Sequence, residues 1–411
     1  MYPKTNKGFW ATVTLLNLCV VAFLGIMLRS KMLFPMEAIE FKNLLHSHSH
    51  FAFCGWVTLA LLSLMTFEIL PAHASGRPVF KWLLTGVWIN AVLMMIAFLI
   101  QGYAFFSILF STLFIFVTYA YAWFFVKHLP ATKQGKPVMV LSVAAFACLI
   151  LSSVGPFTLA YITASGSGNV FLYRDAIYTY LHLQYNGFFV LAIFAIFLNR
   201  FQSSFSVVQS AKALTFAKMA SITVAPTLFI SYLWHFPNPF VNTIAGIGCF
   251  CILIVLYRLV DFLKSIKEQI RSIPKFIRIV FTLSFIAFFL KSILQMGTMI
   301  PKLGVLVFGD RTIIIGYLHL VLLGFVSLFI LAYYLYNSTL DGAHWMTRNA
   351  IRVFVAAVIT NELVLAVQGF GNILMLTTSM YTWILWGIAI WLFLGATLIF
   401  VSRRNTLKRA L

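Results

Sequence analysis

From Phe9 to Val401 the chain is built of apolar runs about as long as a membrane is thick, with only short polar breaks between them. A run of about 20 apolar residues crosses a hydrocarbon core of about 30 Å as a helix. Cutting at the breaks gives spans at roughly 9–29, 44–70, 82–103, 105–126, 138–163, 177–199, 214–234, 240–262, 279–300, 313–336, 351–371 and 378–402. The expected fold is therefore an all-α integral membrane protein of about 12 transmembrane helices. Hydrophobic residues make up 62% of the 411 and charged residues 9%, which excludes a soluble domain. No long polar segment interrupts the spans, so a single membrane domain over 1–411 is expected. No small-residue cleavage site follows the first span, which reads as a retained helix.

The net charge of +20 is not a nucleic-acid footprint, because the basic residues collect in alternate loops. Arg77, Lys81, Lys127, Lys133, Lys136, Arg200, Lys212, Lys264, Lys267, Arg271, Lys275, Arg278, Arg348, Arg352 and the basic tail fall on one side. Lys31, Lys42, Arg174, Lys302 and Arg311 are among the fewer on the other. By the positive-inside rule both termini are expected in the cytoplasm, with the protein in a bacterial-type inner membrane. The five cysteines, Cys19, Cys54, Cys148, Cys249 and Cys251, all fall in spans and read as packing residues rather than a disulfide framework.

A short motif recurs. "HFAFCGW" begins at His50, "HLQYNGF" at His182 and "HLVLLGF" at His319, each reading His, four residues, Gly, aromatic. The copies are nearly evenly spaced, each near the start of the second helix in a group of four. Internal repeats at roughly 9–127, 138–262 and 279–402 are expected from this. The third helix of each group ends in a polar or Gly/Pro-rich stretch, "QGYAF", "WHFPNPF" or "QGFGN".

With cytoplasmic termini, His50, His182 and His319 would each lie about 8–9 Å below the outer face. His235 closes the seventh span at that same face. An ionisable residue inside a membrane points to function, and neutral imidazole ligates haem iron and copper. His46 and His50 are i, i+4 and share a helix face, while His48 is turned away. His50 is thus read as the inward ligand, with His46, a further candidate metal ligand, above it at the water boundary. His73, His128 and His344 read as loop residues. The motif glycine offers a flat surface to a helix or a planar ligand. Lys291 and Glu362 fall near the midplane of spans nine and eleven and are expected to form a buried pair or a proton-handling site.

Twelve spans in three pseudo-symmetric groups of four, with histidines on the second, sixth, seventh and tenth, resemble the haem-copper oxidase subunit I superfamily. The resemblance covers the chain at the level of architecture. "HSHFAFCGW" and "SGRPVF" are also similar to motifs of the NnrS family, which is haem- and copper-containing and linked to nitric oxide. The resemblance implies haem b between His50 and His319. It implies a second metal, copper or non-haem iron, at His182 and His235, with Tyr185 or Tyr178 beside it. The superfamily's helix ten carries two histidines separated by one residue, whereas Tyr317 and Val321 flank His319 here. Its helix seven carries an adjacent pair, whereas His235 stands alone.

The implied function is redox chemistry, electron transfer or handling of oxygen or nitric oxide. The electron donor would be quinol or a separate cytochrome c, since the chain has no CxxCH motif. Partner subunits and membrane lipid are the other expected contacts. The alternative is a transporter of metal ions or protons that uses "HSHSH" as a collecting site.

Overall fold

The computed structural model describes residues 5–130, 135–235, 238–376 and 378–409; Lys133 and the Phe-Pro pair after His235 lie outside them. Twelve helices are long and apolar enough to cross a membrane. They are α1 (Lys7–Lys31), α2 (Phe41–Ile69), α3 (Pro78–Gln101), α4 (Phe105–Lys127), α5 (Lys136–Ala164) and α6 (Val170–Ser204). The second half of the chain supplies α7 (Val207–Tyr232), α8 (Pro239–Ser265), α9 (Lys275–Gly297), α10 (Arg311–Tyr336), α11 (Trp345–Ile373) and α12 (Met380–Arg404). An even number of crossings puts both termini at one face, called here the near face; the opposite one is the far face.

Several helices begin before their apolar run because a cap holds the first turn. The Asn169 side chain accepts from Leu172 N on α6, and Asp310 from Thr312 N and Ile313 N on α10. Ser206 and Gln209 bond reciprocally at the start of α7, satisfying two otherwise orphaned N–H groups. These turns lengthen the helices beyond their apolar runs. His50, His182 and His319 are nine, twelve and eight residues beyond the first residue of their helices, about 12–18 Å along the axis.

Burial of the apolar windows sorts the helices. In α2 and α6 that window is 89% buried, against 22% in α8 and 28% in α4. Helices α2 and α6 are thus central and the others shield them from lipid. Phe53 of α2 packs on Phe189 of α6 at 5.5 Å. Tyr185 of α6 meets Tyr317 of α10 edge-on at 5.9 Å. Trp56 Nε1 of α2 donates to Ser327 Oγ of α10 at 2.8 Å.

All three copies of the histidine motif run into a π-helical segment, Ala52–Thr58, Leu183–Phe189 and Leu320–Ser327. The motif glycine in each is where the preceding helix comes in. Asn17 of α1 donates to the Gly55 carbonyl at 2.6 Å. A Cβ on Gly187 would lie 2.6 Å from Cys148 Cβ of α5, and one on Gly324 would lie 3.2 Å from Ala287 Cβ of α9. The flat surface expected at these glycines receives a helix.

At the near face Glu68 ties four helices. Its carboxylate pairs with Lys7 of α1 and accepts from Tyr333 Oη at 3.0 Å and Asn337 Nδ2 at 3.1 Å, at the end of α10. Asn199 of α6 donates to the Glu68 carbonyl at 2.7 Å.

Candidate functional site

The histidine triplet at the start of α2 splits between two faces. His50 and His46 point to α3: His50 stacks on Phe98 at 4.3 Å with its Nε2 3.2 Å from the Tyr103 hydroxyl, and His46 meets Tyr103 edge-on at 4.6 Å. The shared face expected for these two is present, but it looks away from α10. His50 and His319 are therefore not brought together.

His48 takes the opposite direction. Its Nδ1 donates to the Val21 carbonyl of α1 at 3.1 Å, and its ring passes close to Gly25, where an added Cβ would sit 3.5 Å from Cε1. His48 lies within electrostatic range of His319 and of Arg29, and Arg29 within range of His319. His319 Nδ1 donates to the Ile315 carbonyl one turn back at 2.8 Å. Neither Nε2 has a hydrogen-bond partner among the described residues, and the Arg29 guanidinium has none either. Helices α1, α2 and α10 thus converge on two imidazoles with one nitrogen fixed and the other free, plus one unengaged cation.

Contacts join α2 and α10 on either side of the two histidines. Trp56 meets Ser327 towards the near face, where the π segments of α2 and α10 touch. The Arg311 guanidinium over the Phe41 ring, at 5.6 Å, joins the same two helices near the far face. Between these points no residue of Arg311–His319 is buried, and residues 25–31 of α1 are all half-buried. Apolar helices normally bury the flank that faces a neighbour. Their partial exposure leaves this flank of α10 uncovered among the described residues.

His182 is fully buried and fully used. Its Nε2 donates to the Val224 carbonyl of α7 at 2.9 Å, and its Nδ1 accepts from Asn186 Nδ2 at 3.1 Å. No lone pair remains for a metal. His235 lies elsewhere: its Nε2 is 2.9 Å from Asp175 Oδ2, and Trp234 Nε1 donates to the other carboxylate oxygen at 2.8 Å. Asp175 precedes His182 by seven residues on α6, about 10 Å along the axis, so His182 and His235 sit at different depths. Among the described residues no group of three or more His, Cys, Asp or Glu is placed to hold a metal ion.

Lys291 does not meet Glu362. The lysine is 4% exposed and donates through Nζ to Asn186 Oδ1 at 2.5 Å, extending the chain His182–Asn186–Lys291. Glu362 accepts from its neighbour Asn361 at 3.0 Å and forms no ion pair among the described residues. The Tyr317 hydroxyl is buried without a hydrogen-bond partner, with its ring against Tyr185.

Sequence reasoning passed over His48, Arg29 and Asn186. The i, i+4 spacing of His182 and Asn186 was a usable signal for their hydrogen bond. Nothing in the spacing favoured His48 over His50. No protein-family model matches the chain, and no curated protein matches it.

Proposed function

We propose that the chain is a haem-binding electron-transfer protein of the membrane, similar in plan to haem-copper oxidase subunit I. One haem b would be held between α2 and α10 by His48 and His319, in place of the His50 and His319 pair expected from sequence. The observation that carries this reading is the state of the two imidazoles. In each, Nδ1–H is committed to a backbone carbonyl and Nε2 is free, the arrangement that fixes ring orientation and presents the ligating lone pair. Arg29 supplies a cation suited to a carboxylate at the edge of such a group. The iron would supply a one-electron couple.

With both imidazoles assigned to holding one haem, electron transfer is the activity this site would support first. A second metal at His182 and His235 has no support in the geometry, because both imidazoles are engaged and lie apart. Reduction of oxygen or nitric oxide is therefore not assigned to named residues. The donor would be quinol or a separate cytochrome c. The three π-helical motifs, each received by the preceding helix, support grouping the helices in fours. The basic near-face loops support cytoplasmic termini in a plasma membrane of bacterial type.

The transporter reading has one observation in its favour, a cavity beside the buried Lys291. A purified sample separates the two readings. The haem reading expects a reduced-minus-oxidised spectrum of a six-coordinate b haem and about one haem per chain by pyridine haemochrome assay. A colourless, haem-free preparation from haem-replete cells would overturn it.

A further inference from the structure

A cavity of about 50 Å³ lies among α6, α7, α8 and α9. That is several times the roughly 10–15 Å³ that one water requires. Three polar side chains line it without having their hydrogen bonds filled. Lys291, 96% buried, uses one of its three N–H groups, on Asn186. Gln295, one turn further along α9 and 92% buried, has no side-chain hydrogen bond among the described residues. The Thr223 hydroxyl of α7, on the same wall, has none either. All three carry a donor, and among the lining side chains Asn186 Oδ1 already accepts from Lys291.

The charge is also unbalanced. Lys291 forms no ion pair among the described residues, and Glu362, the acidic residue expected to meet it, bonds elsewhere. An uncompensated ammonium in a membrane span costs at least about 2.5–3.5 kcal/mol. The rest of the wall is mostly apolar, with Ile252 and Val255 from α8 and Phe288 from α9, whose ring centroid is 5.2 Å from Lys291 Nζ; the Thr227 and Ser292 hydroxyls on it bond to carbonyls of their own helices. This wall is the seam between α8 and α9, which touch sparsely, whereas α8 packs along α7. On either side of the seam Leu253, Ile286 and Leu290 face the lipid.

The geometry points to a binding site for the carboxylate of a long-chain fatty acid, entered from the lipid between α8 and α9. The carboxylate supplies the missing negative charge to Lys291 and accepts from Gln295 and Thr223. The alkyl chain lies along the seam, against Ile252, Val255 and Phe288. A carboxylate of three heavy atoms suits the volume, and its pair with the ammonium has no net charge in the span. A small inorganic anion would meet the same lysine but leave its remaining oxygens against hydrocarbon, which is costly. The assignment is independent of the haem reading, since none of these residues touches His48 or His319.

The test uses the full chain in lipid nanodiscs with radiolabelled palmitate as probe. Saturable binding of about one palmitate per chain is expected, weakened about tenfold or more by Lys291→Met, the loss of one charged hydrogen bond. Gln295→Leu should weaken it less, and hexadecanol, which has the tail but no charge, should compete poorly. Ile252→Trp, which fills the seam without touching the polar groups, should also weaken binding and serves if Lys291→Met does not fold. Equal binding by the parent, Lys291→Met and Ile252→Trp would overturn the site. Equal competition by hexadecanol would overturn the role of the carboxylate. Competition by acetate as strong as that of palmitate would overturn the lipid ligand.

Discussion

His48 and His319 are held in the same way from different helices: each donates its Nδ1–H to a backbone carbonyl, Val21 for one and Ile315 for the other, and each keeps Nε2 free. His50, two residues from His48, spends its Nε2 on Tyr103. That contrast orders the histidines by what they can still bind.

Replacing His48 or His319 with alanine should therefore remove the haem, lowering the haem-to-protein ratio about tenfold or more. His50→Ala should leave it within about twofold, because the residue faces α3. Pyridine haemochrome analysis of the three purified variants decides this. Loss of haem in His50→Ala with retention in His48→Ala would restore the assignment made from sequence.

The motif glycines differ in how much room the incoming helix leaves. Gly187→Ala should destabilise the protein by about 1–3 kcal/mol, since its Cβ would overlap the Cys148 side chain. Gly324→Ala, 3.2 Å from Ala287 Cβ, should cost less. Thermal unfolding in detergent, read from tryptophan emission, ranks the two, and equal midpoints would refute the packing argument.

Asn186 satisfies two groups at once, giving an N–H to His182 and an oxygen to Lys291. Asn186→Leu strands both inside the membrane and should cost about 1–3 kcal/mol for each group left unpaired. The matching measurement is the unfolding midpoint of Asn186→Leu beside Asn186→Leu/Lys291→Met. The double variant should recover part of the loss, and an additive further loss would count against the hydrogen bond.

Glu68 holds Lys7, Tyr333 and Asn337 at the near face. Glu68→Ala should loosen that end first, at a cost of about 1–3 kcal/mol. Hydrogen exchange should quicken in α1 near Lys7 and at the end of α10, while the His48 region stays protected. Uniform exchange along both helices would contradict a local tie.

The twelve helices were legible because each is a continuous apolar run, and length alone identifies such a run as a span. The pairing of His46 with His50 on one face was legible too, from 100° per residue. The direction of that face was not. A helix with a lipid side can be oriented by its most apolar stripe, but the α2 window is 89% buried, so no stripe stands out. The same uncertainty in rotation hid the choice Lys291 makes between Glu362 and Asn186. Where the helices begin was hidden for another reason: caps such as Asp310 extend helices through residues that a hydropathy reading assigns to loops.

The first of two π-helical segments in α2, Ala52–Thr58, separates its histidines from Glu68, which lies in the second, Met65–Ile69. Each residue of an α-helix turns the chain by about 100°, so a wider turn works as a one-residue phase shift between the two halves of the same rod. Winding Ala52–Thr58 back into an α ladder without removing a residue would rotate everything beyond by about that angle. Glu68 would then swing away from Lys7 and Tyr333 while His48 stayed opposite His319. The wide turn and the residue count are thus linked: Glu68 reaches Lys7 and Tyr333 because the extra residue is absorbed within Ala52–Thr58.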